Sequence, residues 1–160
     1  VFPNAELVVN EVEYRWWTEP GRVEKLPEGR RGAGKRISDV FPSWKNWRLV
    51  ADGQEVAPGI RILFAPGHTP GHSAYLVTSG KDQMMVSADT MYVPALLAPH
   101  PDWQGAYDQD GPTAIETRRR LIDRVIADRV AICGSHFPFP GTGTFTRDGN
   151  AYGFAPPAIG

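Results

Sequence analysis

Two histidines and one aspartate each follow an apolar run of the chain, and they are the residues best suited to metal chemistry. The runs RILFAPGH, QMMVSAD and VAICGSH end on His68, Asp89 and His136. Two imidazole nitrogens with a carboxylate suit Zn²⁺, iron or manganese, whereas an all-oxygen set would suit Mg²⁺ or Ca²⁺. On this pattern alone, a metal site and three separate structural uses of these residues are equally open.

The elements that must position these residues are strands, because α/β folds gather their sites at the carboxyl ends of strands. HSAYLVTSGKDQMMVSAD predicts two strands joined by a turn at Ser79 and Gly80. WRLVADGQEV alternates apolar and polar residues around Asp52 and Gly53, as a hairpin does. FPFPGTGTFTRDGNAYGF predicts a loop and a closing hairpin. We therefore expect one α/β domain over residues 1–160.

The clearest helix signal is GPTAIETRRRLIDRVIADR. Thr113 and Glu116 match a capping box, with Pro112 just ahead of it. Apolar residues recur with helical spacing, which predicts one buried face. That face is predicted to contain Ile115, Ile122, Val125 and Ile126, with Leu121 flanking it and with Arg118, Arg119 and Asp123 largely elsewhere.

The segment 18–46 is the least regular part of the sequence. It is polar and rich in Gly and Pro, without apolar periodicity, so we expect a lid or loop there. Its basic cluster of Arg30, Arg31, Lys35 and Arg36 is interpreted as solvated rather than as an anion site. Before it, ELVVNEVEY predicts a strand that runs into a helical turn.

Composition narrows the function classes. The chain has 160 residues, 41% hydrophobic and 22% charged, with a net charge of −1. This balance does not favour nucleic-acid or membrane partners. The single cysteine, Cys133, excludes an internal disulfide framework and a cysteine-based zinc site.

Three motifs together resemble a known family. GHTPGHS, SADT and GSHFPFPG, with the spacing found here, are similar to the second half of the metallo-β-lactamase fold superfamily. FPNAE near the start and the tail SHFPFPGTGTFTRDGNAYGF resemble its methyl parathion hydrolase and lactonase-like branch. The resemblance implies the C-terminal portion of a four-layer αβ/βα sandwich, and it is weakest over residues 18–46.

The resemblance implies a role for each strand-end residue. It makes His68 a ligand of one metal, His136 a ligand of the second, and Asp89 the bridge between two divalent ions. Zinc is the first expectation for these ions, with manganese, cobalt or iron as alternatives. His72 is interpreted as a supporting residue that stabilises the turn behind the ligands rather than as a ligand.

Further residues gain roles by the same resemblance. Tyr92 is a candidate hydrogen-bond donor to the substrate oxyanion, and an aromatic pocket wall is the alternative. Trp17 is expected to line the leaving-group pocket, and Trp16 to pack in the core. Ser135 is at best a turn or supporting residue beside His136, and Cys133 is interpreted as core packing rather than as a nucleophile.

The H-x-H-x-D-H motif of this superfamily is absent from the sequence. We therefore expect the complete molecule to include an N-terminal half that supplies it, and we expect the chain alone to be inactive. In the complete molecule, a metal-bridging hydroxide would cleave a lactone or carboxylic ester, with phosphotriesters as a further substrate class. A homodimer and a periplasmic or secreted location are suggested by resemblance only.

Two other functions stay open at this point. One is a mononuclear-iron oxidoreductase of the same superfamily, similar to persulfide dioxygenases. The other is a non-catalytic scaffold that keeps the fold, although three strand-end ligands argue against it. A nuclease is disfavoured by the near-neutral charge.

Overall fold

A computed structural model describes residues 4–158 of the chain. Phe2 and Pro3 of the FPNAE motif lie outside this range. Its helices are α1 (Glu11–Thr18), α2 (Arg22–Lys25), α3 (Glu28–Val40), α4 (Pro94–Leu97) and α5 (Gly111–Asp128), with single 3-10 turns at Phe41–Ser43 and Ala88–Thr90. Its strands are β1 (Leu7–Asn10), β2 (Trp47–Val50), β3 (Glu55–Ala57), β4 (Ile60–Phe64), β5 (Ser73–Ser79), β6 (Asp82–Val86), β7 (Ala131–Cys133), β8 (Thr142–Asp148) and β9 (Ala151–Ala155). The mixed α/β architecture expected from the sequence is confirmed.

The main sheet places three loops at one edge. Strands β3 to β9 pair in sequence order, and all neighbours are antiparallel except β6 and β7. Helix α5 makes the crossover that this parallel pair requires. Strand β4 is antiparallel to β5, and β5 to β6, so β4, β6 and β7 run in one direction. Their carboxyl ends, at Phe64, Val86 and Cys133, therefore face the same edge.

Helix α5 covers one face of this sheet. Its buried residues Leu121, Ile122 and Val125 belong to a core shared with Met85 and Ile132. Removing one such side chain typically costs about 2–5 kcal/mol. The prediction of this face holds for Ile122 and Val125, whereas Ile115 and Ile126 are only half-buried and Leu121, expected at its flank, is fully buried. The face ties the crossover helix to the two strands that precede Asp89 and His136.

Two details of α5 differ from the sequence expectation. Asp110 is the N-cap, and its side chain accepts a hydrogen bond of 3.1 Å from the Thr113 N–H. Thr113 is thus a donor inside the helix, and the predicted Thr113–Glu116 capping box is wrong. Arg118 is fully buried rather than away from the core, because backbone carbonyls accept from Nε and Nη1 of its guanidinium and the Asp108 carboxylate lies 3.6 Å from Nη2.

The predicted hairpin around Asp52 and Gly53 is also wrong. A turn does form, with Gly53 at φ 76°. However, β2 pairs in parallel with β1 in a separate two-stranded sheet, while β3 pairs with β4 in the main sheet. The turn therefore connects two sheets, a long-range outcome that local alternation of residue types does not report.

The expected loop over residues 18–46 is largely helical, so that expectation is wrong for α2 and α3. These helices dock with few apolar contacts. Gly34 is buried where an added Cβ would overlap the Leu26 side chain. Ser38 Oγ donates to the Trp17 carbonyl at 2.9 Å, and Arg31 Nε donates to the Leu26 carbonyl at 3.0 Å. Because α3 packs through a glycine and through hydrogen bonds to carbonyls, it has few buried apolar side chains to mark it in the sequence.

No helix within residues 4–158 has the length and apolar character needed to cross a membrane.

Candidate metal centre

The structure brings the three predicted ligands together at the loop edge of the main sheet. His68 lies in the loop after β4, Asp89 in the 3-10 turn after β6, and His136 in the loop after β7. His68 Nε2 is 3.6 Å from Asp89 Oδ2, and His136 Nε2 is 3.3 Å from Asp89 Oδ1. Each histidine therefore faces a different oxygen of one carboxylate.

These distances fit metal donors better than hydrogen-bonded partners. Asp89 Oδ1 is buried and has no hydrogen-bond partner in the described part of the chain. Two donors each about 2.0–2.1 Å from a tetrahedral zinc ion lie roughly 3.3 Å apart. Among residues 4–158, no group of three or more His, Cys, Asp or Glu is arranged to hold a metal ion. The three residues are therefore an incomplete set of metal ligands.

His72 joins the loops that carry His68 and Asp89. Its Nδ1 is 3.0 Å from the Ala65 carbonyl, so Nδ1–H is the donor, and Nε2 accepts the Asp89 N–H at 3.2 Å. Burial lowers the pKa of His72 from its ordinary value, with a smaller contribution from His68 in the same direction. A neutral His72 in this tautomer uses both ring nitrogens on backbone groups and braces the turn at Asp89.

Glycines let the surrounding backbone approach closely. Gly67 has φ 126°, and an added Cβ there would overlap the start of α5 at Ala114. Gly71 packs against α1 so tightly that a Cβ would overlap the backbone of Glu13. The Glu13 carboxylate in turn accepts bonds from the Thr69 hydroxyl at 2.7 Å and the Gly71 N–H at 2.9 Å. The loop carrying His68 is thus fixed from two sides.

Asp108 is a site residue that the sequence reasoning missed. Its Oδ1 is 3.2 Å from His68 Nδ1, its Oδ2 accepts the Gly105 N–H at 3.2 Å, and Arg118 Nη2 lies 3.6 Å from Oδ2. Burial alone would raise the pKa of Asp108, but His68, the neighbouring Tyr92 hydroxyl and the charge of Arg118 outweigh it and hold that pKa below its usual value. An aspartate in a loop rich in Asp and Pro carries no signal that would single it out.

A cavity of about 700 Å³ opens beside the three ligands. One wall contains His68, Thr69, Asp89, Tyr92, Val93, Tyr107, Gln109 and His136. The remaining lining residues come from helices α1 to α3 and their connections, namely Trp17, Leu26, Gly29, Arg30, Ala33, Gly34 and Ile37. The segment expected to be a loop thus contributes most of the apolar side of the pocket.

Trp17 and Tyr92 both line this cavity. The buried Trp17 donates its indole N–H to Glu13 Oε1 at 2.7 Å, which fixes the ring. The Tyr92 ring centre is 6.0 Å from that of His68, and its hydroxyl is buried without a hydrogen-bond partner of good geometry. Burial, with a smaller contribution from Asp108, raises the pKa of Tyr92 far above its usual value, so the phenol keeps its proton.

Several other residues singled out in the sequence lie away from the cavity. Phe41, Trp44 and Trp47 form an aromatic cluster with Tyr14, with ring centres 5.2–6.4 Å apart. His100 is exposed and stacks on Trp103 at 4.0 Å. Neither group lines the pocket, so the aromatic contribution to its wall comes from Trp17, Tyr92 and Tyr107.

The remaining candidates have structural surroundings. Ser135 is exposed and contributes its backbone N–H, which donates to the Ala88 carbonyl at 3.3 Å. Cys133 is the last residue of β7, and burial raises the pKa of its thiol, which opposes a role as nucleophile. The expectation that Trp16 packs in the core is wrong, since it is half-buried under the Arg22 guanidinium, 3.5 Å from its ring centre.

The chain is similar to known metal-dependent hydrolases, although no protein family model matches it. An N-acyl homoserine lactonase of Bacillus cereus is 25% identical over 136 residues, which are 84% of this chain and 48% of that protein. A probable metallo-hydrolase of Mycobacterium tuberculosis is 28% identical over 97 residues, 57% of this chain and 31% of that protein. The chain thus spans about half the length, or less, of these curated relatives.

Solved structures show the same fold. The dizinc quorum-quenching lactonase AidC superposes with a TM-score of 0.90 at 23% identity, over 99% of this chain and 57% of that one. The hydrolase AbOPH of the β-lactamase superfamily superposes with a TM-score of 0.87 at 24% identity, over the same shares. These likenesses confirm the metallo-β-lactamase fold over part of its length, and with the curated relatives they confirm the resemblance to the lactonase-like branch.

Proposed function

We propose that the full-length protein is a metal-dependent hydrolase that opens lactones or cleaves carboxylic esters. The observation that carries the proposal is the position of His68 and His136 against different oxygens of Asp89, at the mouth of a largely apolar cavity. The similarity to lactonases and metallo-hydrolases supports the same reaction class.

The proposed cofactor is a pair of divalent ions, with zinc preferred because imidazole nitrogens suit it better than they suit magnesium. When bound, such a pair supplies an activated water near neutral pH and polarises the scissile carbonyl. His68 would hold one ion, His136 the other, and Asp89 would contribute one oxygen to each. We propose that an H-x-H-x-D-H segment of the full-length protein supplies the donors that these three residues do not.

The cavity indicates how a substrate would lie. Its helical wall, with Leu26, Ala33 and Ile37, suits an acyl chain or another apolar substituent. The ester carbonyl would then lie near Asp89 and the Tyr92 ring. The Tyr92 hydroxyl is buried beside Gly105, so it would have to turn toward the carbonyl in order to donate to it. Because the Tyr92 phenol keeps its proton, it is suited to donate a hydrogen bond to the oxygen on which negative charge develops.

Trp17 is proposed as a wall of the same pocket. Its indole N–H is already used by Glu13, so the ring offers an apolar face rather than a donor. With Phe41, Trp44 and Trp47 elsewhere, the pocket has fewer aromatic groups than an aryl phosphotriester would favour. We therefore rank lactones and carboxylic esters above phosphotriesters.

The proposal is tested by measuring hydrolysis of a medium-chain N-acyl homoserine lactone, a carboxylic ester and an aryl phosphotriester by the purified full-length protein. We expect lactone opening that is lost with a chelator and restored by zinc. A zinc-loaded protein that opens neither lactones nor esters would refute the proposal.

Metal analysis separates the two alternatives that the sequence left open. The hydrolase requires two ions per protein molecule. One bound iron with oxygen-dependent turnover would indicate an oxidoreductase instead. A folded protein that binds no metal and turns over none of these substrates would indicate a scaffold.

A further inference from the structure

A buried ion pair lies behind His68, on the side away from the cavity. The side chains of Arg118 and Asp108 are 0% and 1% exposed, and neither residue lines the cavity. Taking two charges out of water is costly unless each is well hydrogen-bonded. Lining the pocket therefore does not account for the presence of this pair.

The geometry around His68 indicates a role for this ion pair. Nδ1 is 3.2 Å from Asp108 Oδ1, and Nε2 is 3.6 Å from Asp89 Oδ2. A carboxylate can only accept, so Nδ1 must carry the proton that it shares with Asp108. The proton on Nδ1 leaves the lone pair of Nε2 free on the side of Asp89.

We propose that Asp108 is a positioning residue that holds the tautomer and ring orientation of His68, and that Arg118 and Gly105 hold Asp108 in place. The inference deepens the proposed function and rests on it, because it assigns His68 Nε2 to a metal ion. Carboxylates behind metal-bound histidines typically change metal affinity by about 10–100-fold.

Arg118 organises the surroundings of Asp108 through backbone carbonyls. Its guanidinium donates to Pro101 at 2.8 Å, to Trp103 at 2.9 Å and to Thr90 at 3.3 Å. Thr90 follows Asp89, and the other two carbonyls belong to the loop that carries Asp108. One buried side chain thus sets the loop behind His68 relative to the turn that holds Asp89.

Gly105 also holds Asp108 in place. Its N–H donates to Asp108 Oδ2 at 3.2 Å, and an added Cβ would overlap the Tyr92 hydroxyl. The groups that face Asp108 can all donate: the imidazole Nδ1–H, the Gly105 N–H, the Arg118 guanidinium and the neighbouring Tyr92 hydroxyl. An aspartate, whose two oxygens only accept, is matched to these groups.

The variant Asp108→Asn tests this match with almost no change in volume. If the amide oxygen faces His68, the amide nitrogen meets the Gly105 N–H and Arg118, which are donors. If the amide is reversed, its nitrogen forces Nδ1 to accept, and the His68 proton moves to Nε2. In both arrangements the metal-facing nitrogen is less available, or the loop behind it shifts.

The readout is zinc affinity of the full-length protein, measured by competition with a chromophoric chelator. The matched control is Asp102→Asn, which makes the same change at an exposed residue that pairs with Arg119. We expect Asp108→Asn to weaken binding of the ion that His68 would hold by about 10–100-fold, and Asp102→Asn to leave affinity unchanged. Equal affinities in wild type and Asp108→Asn, or equal losses in both variants, would overturn the proposal.

A measurement on the wild type covers the case in which Asp108→Asn does not fold. Nitrogen-15 NMR of the zinc-loaded full-length protein reports the tautomer of His68, with His68→Gln used to assign the signal. We expect a proton on Nδ1 and metal on Nε2. Metal on Nδ1, or a proton on Nε2, would overturn the role of Asp108 even if the protein hydrolyses lactones. Loss of the proposed function would appear separately, as a metal-loaded protein without hydrolysis.

Discussion

At the scale of single residues, Asp89 is the centre of the proposed site. It lies between two histidines that approach different oxygens, at 3.6 and 3.3 Å. A carboxylate in that position is suited to link two ions. The side chains of His72 and Asp108 lie behind it. His72 hydrogen-bonds to the loop backbone and Asp108 to His68, so both bind the protein rather than a substrate.

The substitution Asp89→Ala should abolish binding of both ions and hydrolysis in the full-length protein, because it removes the one group shared by the two proposed metals. Metal content by mass spectrometry and lactone turnover measure the effect. Asp102→Ala, an exposed aspartate paired with Arg119, is the control and should keep both. Retained metal and turnover in Asp89→Ala would show that the bridging role is wrong.

Tyr92→Phe should lower kcat on lactones by roughly 10–10³-fold if the hydroxyl stabilises the oxyanion. Metal content should not change, since the phenol is not among the proposed ligands. Steady-state kinetics on one lactone measure the effect. An unchanged kcat would reduce Tyr92 to a pocket wall.

The sequence indicated the strand-end candidates but not their surroundings. His68, Asp89 and His136 stood out because each follows an apolar run, and the family resemblance gave them ligand roles that stay predictions. Asp108 carries no such signal, since its role comes from a loop that folds back onto His68. Arg118 was predicted to lie away from the core for a related reason, because the carbonyls and the Asp108 carboxylate around its guanidinium are distant in sequence.

At the scale of elements, α1 and the loop between β4 and β5 act as one unit. Gly71 contacts the backbone of Glu13, whose carboxylate accepts bonds from Thr69, Gly71 and Trp17. The ligand loop and the pocket wall therefore share one anchor. A shift of α1 should move both.

Gly71→Ala should destabilise the protein by about 1–3 kcal/mol, because the new Cβ must displace α1 at Glu13. Chemical denaturation measures the change. The control is Gly32→Ala, where an added Cβ in α3 meets nothing within 4 Å and should be neutral or slightly stabilising. Equal stability of the two variants would show that α1 is not packed on the loop as described.

Elements with strong local patterns were predicted, and those that depend on distant partners were not. Helix α5, the β5–β6 pair and the closing hairpin of β8 and β9 follow from periodicity and turn residues. Helix α3 and the separation of β2 from β3 were missed. Both depend on contacts with other segments, which local periodicity does not encode.

At the scale of the whole molecule, helices α1 to α3 and the loops at one edge of the main sheet line the same pocket. The cavity of about 700 Å³ is large enough for a drug-sized ligand. Its size should therefore influence which substrates are accepted. The oligomeric state is a separate matter, and the homodimer stays a prediction.

Ala33→Leu should raise KM for long-chain N-acyl lactones by about tenfold relative to short-chain ones, because the larger side chain takes up pocket volume. Arg36→Leu introduces the same side chain on α3 at an exposed residue outside the cavity. It should leave the ratio of the long-chain KM to the short-chain KM unchanged. Specificity constants over a chain-length series measure the effect. Equal ratios in both variants would mean that the acyl chain does not lie against α3.

The shared metal site at Asp89 is tested most directly by an anomalous diffraction map of the full-length protein, collected at the zinc edge after zinc loading. We expect two peaks, one on each side of Asp89, with the first beside His68 Nε2 and the second beside His136 Nε2. Zinc bound only at sites remote from Asp89, in a protein that still opens lactones, would contradict this expectation.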